Sequence, residues 1–298
     1  MSLGFKIHGT RGSRPSLKPY SLRYGGNSSS YEILTDEKYL VFIDAGSGLA
    51  KAGRELGSGK QSKELHILTT HPHWDHILGF TDFEPFFCSE NRIVLYGAGT
   101  ELAKFKNLFL KLGYQNYLPI PISAFKAKID FVEVCPGQSF FIGERIAVST
   151  FQLNHNGITL GYRITYKGKS ISVITDNAPI ENENYLFDGI DKTKIADFRK
   201  FEMEYNNGLT EFIRNSQLAL FDTHFNEENL RPDWGHGTPE IAAGFCVNAG
   251  VKMLLLGHHA PEDTDEDVDA KLVNVRRRYK DSGLVIEAGT EEKIWKVL

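Results

Sequence analysis

Cysteine is scarce: Cys88, Cys135 and Cys246 are the only three in 298 residues, odd in number and far apart. That spacing excludes a disulfide-stapled secreted scaffold and a paired-cysteine zinc ribbon, and fits free thiols in a reducing cytosol. No apolar run reaches the roughly 18 residues of a membrane span, and the opening MSLGFKIHGTRGSRP lacks the apolar stretch of a signal peptide. A soluble, cytoplasmic protein without membrane contact is therefore expected. An excess of one charge is also missing, since 34 Lys and Arg against 38 Asp and Glu leave a formal net charge of −4. Such a chain has no basic field to gather nucleic acid non-specifically, so a polyanion would need a local patch. With 28 glycines and 11 prolines, collagen-like and low-complexity material is excluded as well. What is present, 41% hydrophobic and 24% charged residues, suffices for a packed core.

β-Branched and aromatic runs bounded by Gly, Ser, Asn and Asp predict strands at 5–8, 29–34, 39–43, 65–70, 130–134, 146–151, 161–166, 170–175 and 253–256. Helical spacing of Leu102, Phe105, Leu108, Phe109 and Leu112 predicts a helix over 100–112, with others near 208–215, 238–248 and 265–282. Thr238 is the expected N-cap of the third, with Pro239 at its first position. Strands and helices recur to the end without a linker or repeat, so one α/β domain over 1–298 is expected.

The strongest chemical signal is ELHILTTHPHWDH at 64–76, where a strand runs into His71, His73, Asp75 and His76. In an extended segment i and i+2 point the same way, so His71 and His73 can grip one ion. Asp75 and His76, displaced around the turn, can face a second. Imidazole nitrogen and carboxylate oxygen suit zinc, and also manganese or iron. His155, Asp176 and His258 each follow a predicted strand, where a sheet gathers ligands along one edge.

HPHWDH followed by His155, Asp176 and His258 resembles the metallo-β-lactamase superfamily, whose signature is HxHxDH and then His, Asp and His. Asp44 in FIDAGSGL looks like that family's first Asp motif, and the resemblance spans nearly the whole chain. It implies an αββα sandwich, two mixed β-sheets flanked by helices. It also implies two divalent ions, one on His71, His73 and His155, the other on Asp75, His76 and His258, with Asp176 bridging. LLLGHH fits the family pattern best at His258, with His259 as second choice.

DWGHGTPEIAAGF at 233–245 is similar to the ribonuclease Z and phosphodiesterase branch, where a GH(S/G)T loop precedes the last ligand. His236 lies 22 residues before His258. The likeness implies a general acid or phosphate donor at His236, oriented by Asp222, with Asp75 in the catalytic group. GTRGSRP at 9–15 and YGGNSSSYEI at 24–33 look like that branch's glycine-rich segments, and Arg11 and Arg14 are read either as fork donors to phosphate or as solvated loop arginines. His224, beside Asp222, has no assigned role, a surface position being one reading of it. Two departures stand out: HNG at 155–157 replaces HPG, and no Gly/Pro-rich basic arm for tRNA is present. The insertion at 181–207 is mixed and slightly acidic. Segment 80–125 looks like the variable substrate gate, where Phe80, Phe83, Phe86, Phe87, Tyr114 and Tyr117 offer faces for a base or sugar or, the commoner use of such aromatics, pack in the core.

The expected protein is thus a dinuclear phosphodiesterase acting through a metal-bridging hydroxide on a small phosphodiester such as a cyclic nucleotide, with a homodimer as the default assembly. The alternatives are a tRNA 3′-processing endoribonuclease and a lactone or thioester hydrolase.

Overall fold

Alternation along the strands builds a layered molecule, for which the computed structural model describes residues 3–57, 62–98, 106–107, 122–180 and 197–297. In the first sheet β1 (Leu3–Gly9), β2 (Ser30–Thr35) and β3 (Tyr39–Ile43) run antiparallel. From β3 the sheet continues in parallel through β4 (Glu64–Leu68), β5 (Arg92–Ala98) and β6 (Lys128–Val134), and β14 (Ile294–Val297) closes the far edge beside β1. The second sheet repeats the plan. β7 (Ser139–Ile142), β8 (Ile146–Leu153), β9 (Thr159–Tyr166) and β10 (Lys169–Ile174) are antiparallel neighbours, and β11 (Leu218–Asp222), β12 (Met253–Gly257) and β13 (Val285–Ala288) follow β10 in parallel. Each sheet has seven strands among the described residues.

Period-2 alternation sends Val41 and Ile43 into the core between the sheets and Phe42 outward. On the other sheet Leu255 points in, while Leu254 and Leu256 point out. Apolar residues on both faces of the parallel strands require cover on both sides. Helix α1 (Ser47–Leu56) covers the first sheet; α3 (Phe198–Phe212), α4 (Pro239–Ala249) and α5 (Asp265–Arg278) supply the layer on the second. The result is the αββα sandwich expected from the sequence. Thr238 caps α4 by accepting from the Ile241 amide at 3.3 Å, with Pro239 behind it.

Several boundaries differ from expectation. α3 begins at Phe198, because Asp197 accepts from the Lys200 amide and starts the helix ten residues before Gly208. α1 was hidden by its glycines: a Cβ at Gly48 would lie 2.4 Å from the His8 carbonyl oxygen, so the helix needs a bare backbone where it crosses β1. The helix over 100–112 falls outside the described residues apart from 106–107, as do Tyr114, Tyr117 and residues 181–196. Phe80, Phe83 and Phe86 are buried against α1 in the first outer core, which removes them as faces for a substrate.

Candidate metal centre

The parallel halves of both sheets end on the same rim, and the ligand-type residues emerge there. Asp44 follows β3, the His71–His76 segment follows β4 and includes the short helix α2 (Trp74–Ile77), His155 follows β8, Asp176 follows β10, and His258 follows β12. Three of these residues turn the chain sharply, with φ of 61° at Asp44, 48° at Asp176 and 53° at His258. Left-handed backbone at a non-glycine residue costs of order 1–3 kcal/mol and is commonly found at functional sites.

Two groups of side chains converge. In the first, donor atoms of His71, His73 and His155 all lie within 4.8 Å of one another. His155 Nε2 is 3.1 Å from His73 Nδ1. In the second, Asp75, His76 and His258 meet the same limit, with His258 Nε2 3.3 Å from both Asp75 Oδ2 and His76 Nε2. Asp176 stands between them. Its Oδ1 is 3.9 Å from His71 Nε2 and 3.8 Å from His155 Nε2, while its Oδ2 is 3.2 Å from His76 Nε2 and 3.3 Å from His258 Nε2.

The outer nitrogens are anchored, which aims the inner ones. His76 Nδ1 donates to Asp44 Oδ2 at 2.7 Å, and His155 Nδ1 donates to the Gly235 carbonyl at 3.0 Å. Gly235 is required there: its φ is 83°, and a Cβ would sit 2.0 Å from His155 Nδ1. These residues fit divalent ions. The buried Nε2 of His71 has no hydrogen-bond partner among the described residues, and with Nδ1 of His155 donating to Gly235, Nε2 of that ring turns a lone pair toward His73. Burial disfavours charge on His76 and His258, yet the surrounding carboxylates raise His76 well above the usual histidine range, and Asp176, Asp222 and Asp75 lift His258 to about 10. The pocket therefore draws in positive charge.

His236 Nδ1 donates to Asp222 Oδ2 at 2.9 Å, and Asp222 also accepts from the His224 amide at 2.9 Å. Despite its burial, His236 and His258 hold the Asp222 carboxyl well below the usual range. His236 lines a cleft of about 290 Å³ with Ser13, Trp74, Asp75, His155 and Asp176. His224 is buried, not at the surface, and its ring stacks on His236 at 4.5 Å and 14°. Donor atoms of His224, His236 and His258 also cluster, but lone pairs lie in the ring plane, so two rings stacked this flat do not converge well on one ion. Burial and the nearby His236 lower His224 to about 3.

Arg11 corrects the sequence reading. Its fully buried guanidinium donates to the carbonyls of Ser21 and Gly25 at 2.7 Å, Asp263 at 2.9 Å and Ala260 at 3.2 Å, so it ties loops together and is not free for phosphate. Arg14 is exposed and paired with Glu262. His259 is buried away from the two groups; its amide donates to the Thr10 carbonyl at 2.9 Å and its ring lies 6.0 Å from Tyr24. Missed in the sequence was Ser13, whose amide donates to Asp75 Oδ2 at 2.8 Å.

Residues 39–259 match the family model described as the beta-lactamase superfamily domain. Ribonuclease Z of Lactococcus lactis is 26% identical over 265 residues, covering 79% of this chain and 83% of that protein. Among solved structures, the metallo-beta-lactamase fold protein YhfI of Bacillus subtilis has a TM-score of 0.70 at 14% identity, covering 99% of this chain and 100% of that one. The short form of human tRNase Z has a TM-score of 0.63 at 16% identity, with 99% of each chain covered. At such identities these two structures speak for the fold alone. Among the described residues no helix is long and apolar enough to cross a membrane.

Proposed function

The chain belongs to the beta-lactamase superfamily, here a family of metal-dependent hydrolases, and on that premise we propose a dinuclear phosphodiesterase acting on a small phosphodiester such as a cyclic nucleotide. His71, His73 and His155 would hold one ion, Asp75, His76 and His258 the other, and Asp176, which stands between the two groups, would serve both. Two divalent ions there, zinc by donor chemistry with manganese or iron as alternatives, would polarise a phosphoryl oxygen and supply a strong nucleophile from water near neutral pH.

The chain's own residues then do the rest. The Ser13 amide holds the Asp75 carboxylate in place. Nδ1 of His236 stays bonded to Asp222, which keeps Nε2 as the edge that carries a proton to the leaving alkoxide. The observation that carries this reading is the Asp222–His236 pair opening on the cleft that Asp176 also lines. Acyl-ester hydrolysis can dispense with such an acid.

A tRNA-processing ribonuclease is the second reading, favoured by the name of the Lactococcus relative. Against it stand the net charge of −4 and the pairing of Arg14 with Glu262. Protein loaded in turn with Zn²⁺ and Mn²⁺ is assayed against cyclic nucleotides, linear dinucleotides, precursor tRNA and a thioester. Turnover of the small phosphodiesters supports the first reading. Length-dependent, salt-sensitive RNA cleavage alone replaces it with the second. A cytoplasmic homodimer is the assembly to check, by mass in solution.

A further inference from the structure

Phe80, Phe83 and Phe86 are buried, yet among the described residues a large aromatic remains uncovered beside the site. Trp74 stands between His73 and Asp75, at the first position of α2, and half of its surface is exposed, while Asp75, His76 and Ile77 on the same turn are buried. It lines the same cleft as Ser13, Asp176 and His236. Among the described residues no ring or cation is recorded against its face. Trp234, also half exposed, differs: the Arg231 guanidinium lies 5.0 Å from its centroid and Phe225 packs on its edge at 6.4 Å.

Resting on the phosphodiesterase reading, we propose that Trp74 is the platform on which the base of the substrate stacks, so that the substrate class is nucleoside-bearing phosphodiesters. A flat base needs one aromatic face, which is what the cleft offers; a quaternary ammonium headgroup needs several walls around it. The indole is one residue away from ligand-type side chains on either side, so a ribose bridges from a base on Trp74 to a phosphate at the centre. Stacking uses the π-face that every base has, and discrimination among bases is therefore weak. Exposure of the indole then has a reason, because the substrate completes its burial.

The test compares thymidine 5′-p-nitrophenyl phosphate with methyl p-nitrophenyl phosphate, two diesters with the same leaving group. The ratio of their kcat/KM values is expected to favour the nucleotide, to fall by about tenfold in Trp74→Ala, mainly through KM, and to be largely kept in Trp74→Phe. Independently, adenosine 5′-monophosphate should quench tryptophan fluorescence in the wild type and not in Trp74→Phe, which retains only Trp234 and Trp295. A ratio unaltered in Trp74→Ala, or quenching that persists in Trp74→Phe, overturns the platform while leaving the phosphodiesterase intact. If neither ester is cleaved, the phosphodiesterase reading fails instead, and the quenching experiment alone decides the platform.

Discussion

The two halves of the centre share Asp176 and little else. Around Asp75, His76 and His258 every side chain is buried, and the carboxylates of Asp44, Asp75, Asp176 and Asp222 raise the histidines' proton affinity. Around His71, His73 and His155 fewer carboxylates act among the described residues, Asp176 on all three and Asp75 on His73, and His73 is exposed. There burial wins, with like charge from neighbouring histidines adding to it: His71 falls well below its usual range and His155 falls to about 4. One half is a closed hole for positive charge and the other an open face of neutral imidazoles. The same residue types thus give different sites because the number of facing carboxylates differs.

The largest effect separates both halves from proton transfer. His236→Ala should lower phosphodiester turnover by about 10²–10⁴-fold, read by steady-state kinetics, with metal content unchanged by elemental analysis. Unaltered turnover would remove the phosphodiesterase argument. Next, Asp44→Asn should weaken one of two metal-binding steps by about 10–100-fold in calorimetry and the other less, because Asp44 bonds directly to His76 and reaches His71 through the Thr70 hydroxyl. Equal weakening of both steps would break the distinction between the halves. Smaller again is His224→Ala. Losing an aromatic pair worth about 0.5–1.5 kcal/mol should cost His236 its fixed plane and lower kcat by roughly 2–10-fold, with rescue by His224→Phe.

The smallest effect is on stability and lies outside the site. His66, on β4, is lowered to about 4 by burial, which outweighs Glu64. Its folded pKa is below its unfolded one near 6.5, so the unfolded chain binds the extra proton first. Stability is complete above pH 6.5 and declines as pH falls toward 4. Thermal melts of His66→Phe should show a shallower acid decline than wild type; identical slopes would show that His66 does not contribute.

How legible all this was depends on the distance in sequence between cause and effect. Thr238 and Pro239 announce α4 because a cap acts within one turn, and His71 to His76 announce themselves because four donors share one turn. His155, Asp176 and His258 were readable from the strands that precede them. Arg11 was misread because its partners come from residues 21, 25, 260 and 263, which only the folded chain brings together. His224 is buried by the same long-range logic: Lys271 donates to its carbonyl from α5. Short edge strands such as β13 and β14 carry too few residues for alternation to be seen.

The most direct test of the two-ion phosphodiesterase is a titration of metal-free protein with Zn²⁺ while following bis-p-nitrophenyl phosphate hydrolysis, with a thioester assayed in parallel. Turnover of the diester should rise until two equivalents are bound, with the thioester far slower throughout. Saturation at one equivalent, or a thioester cleaved faster than the diester, would contradict the account.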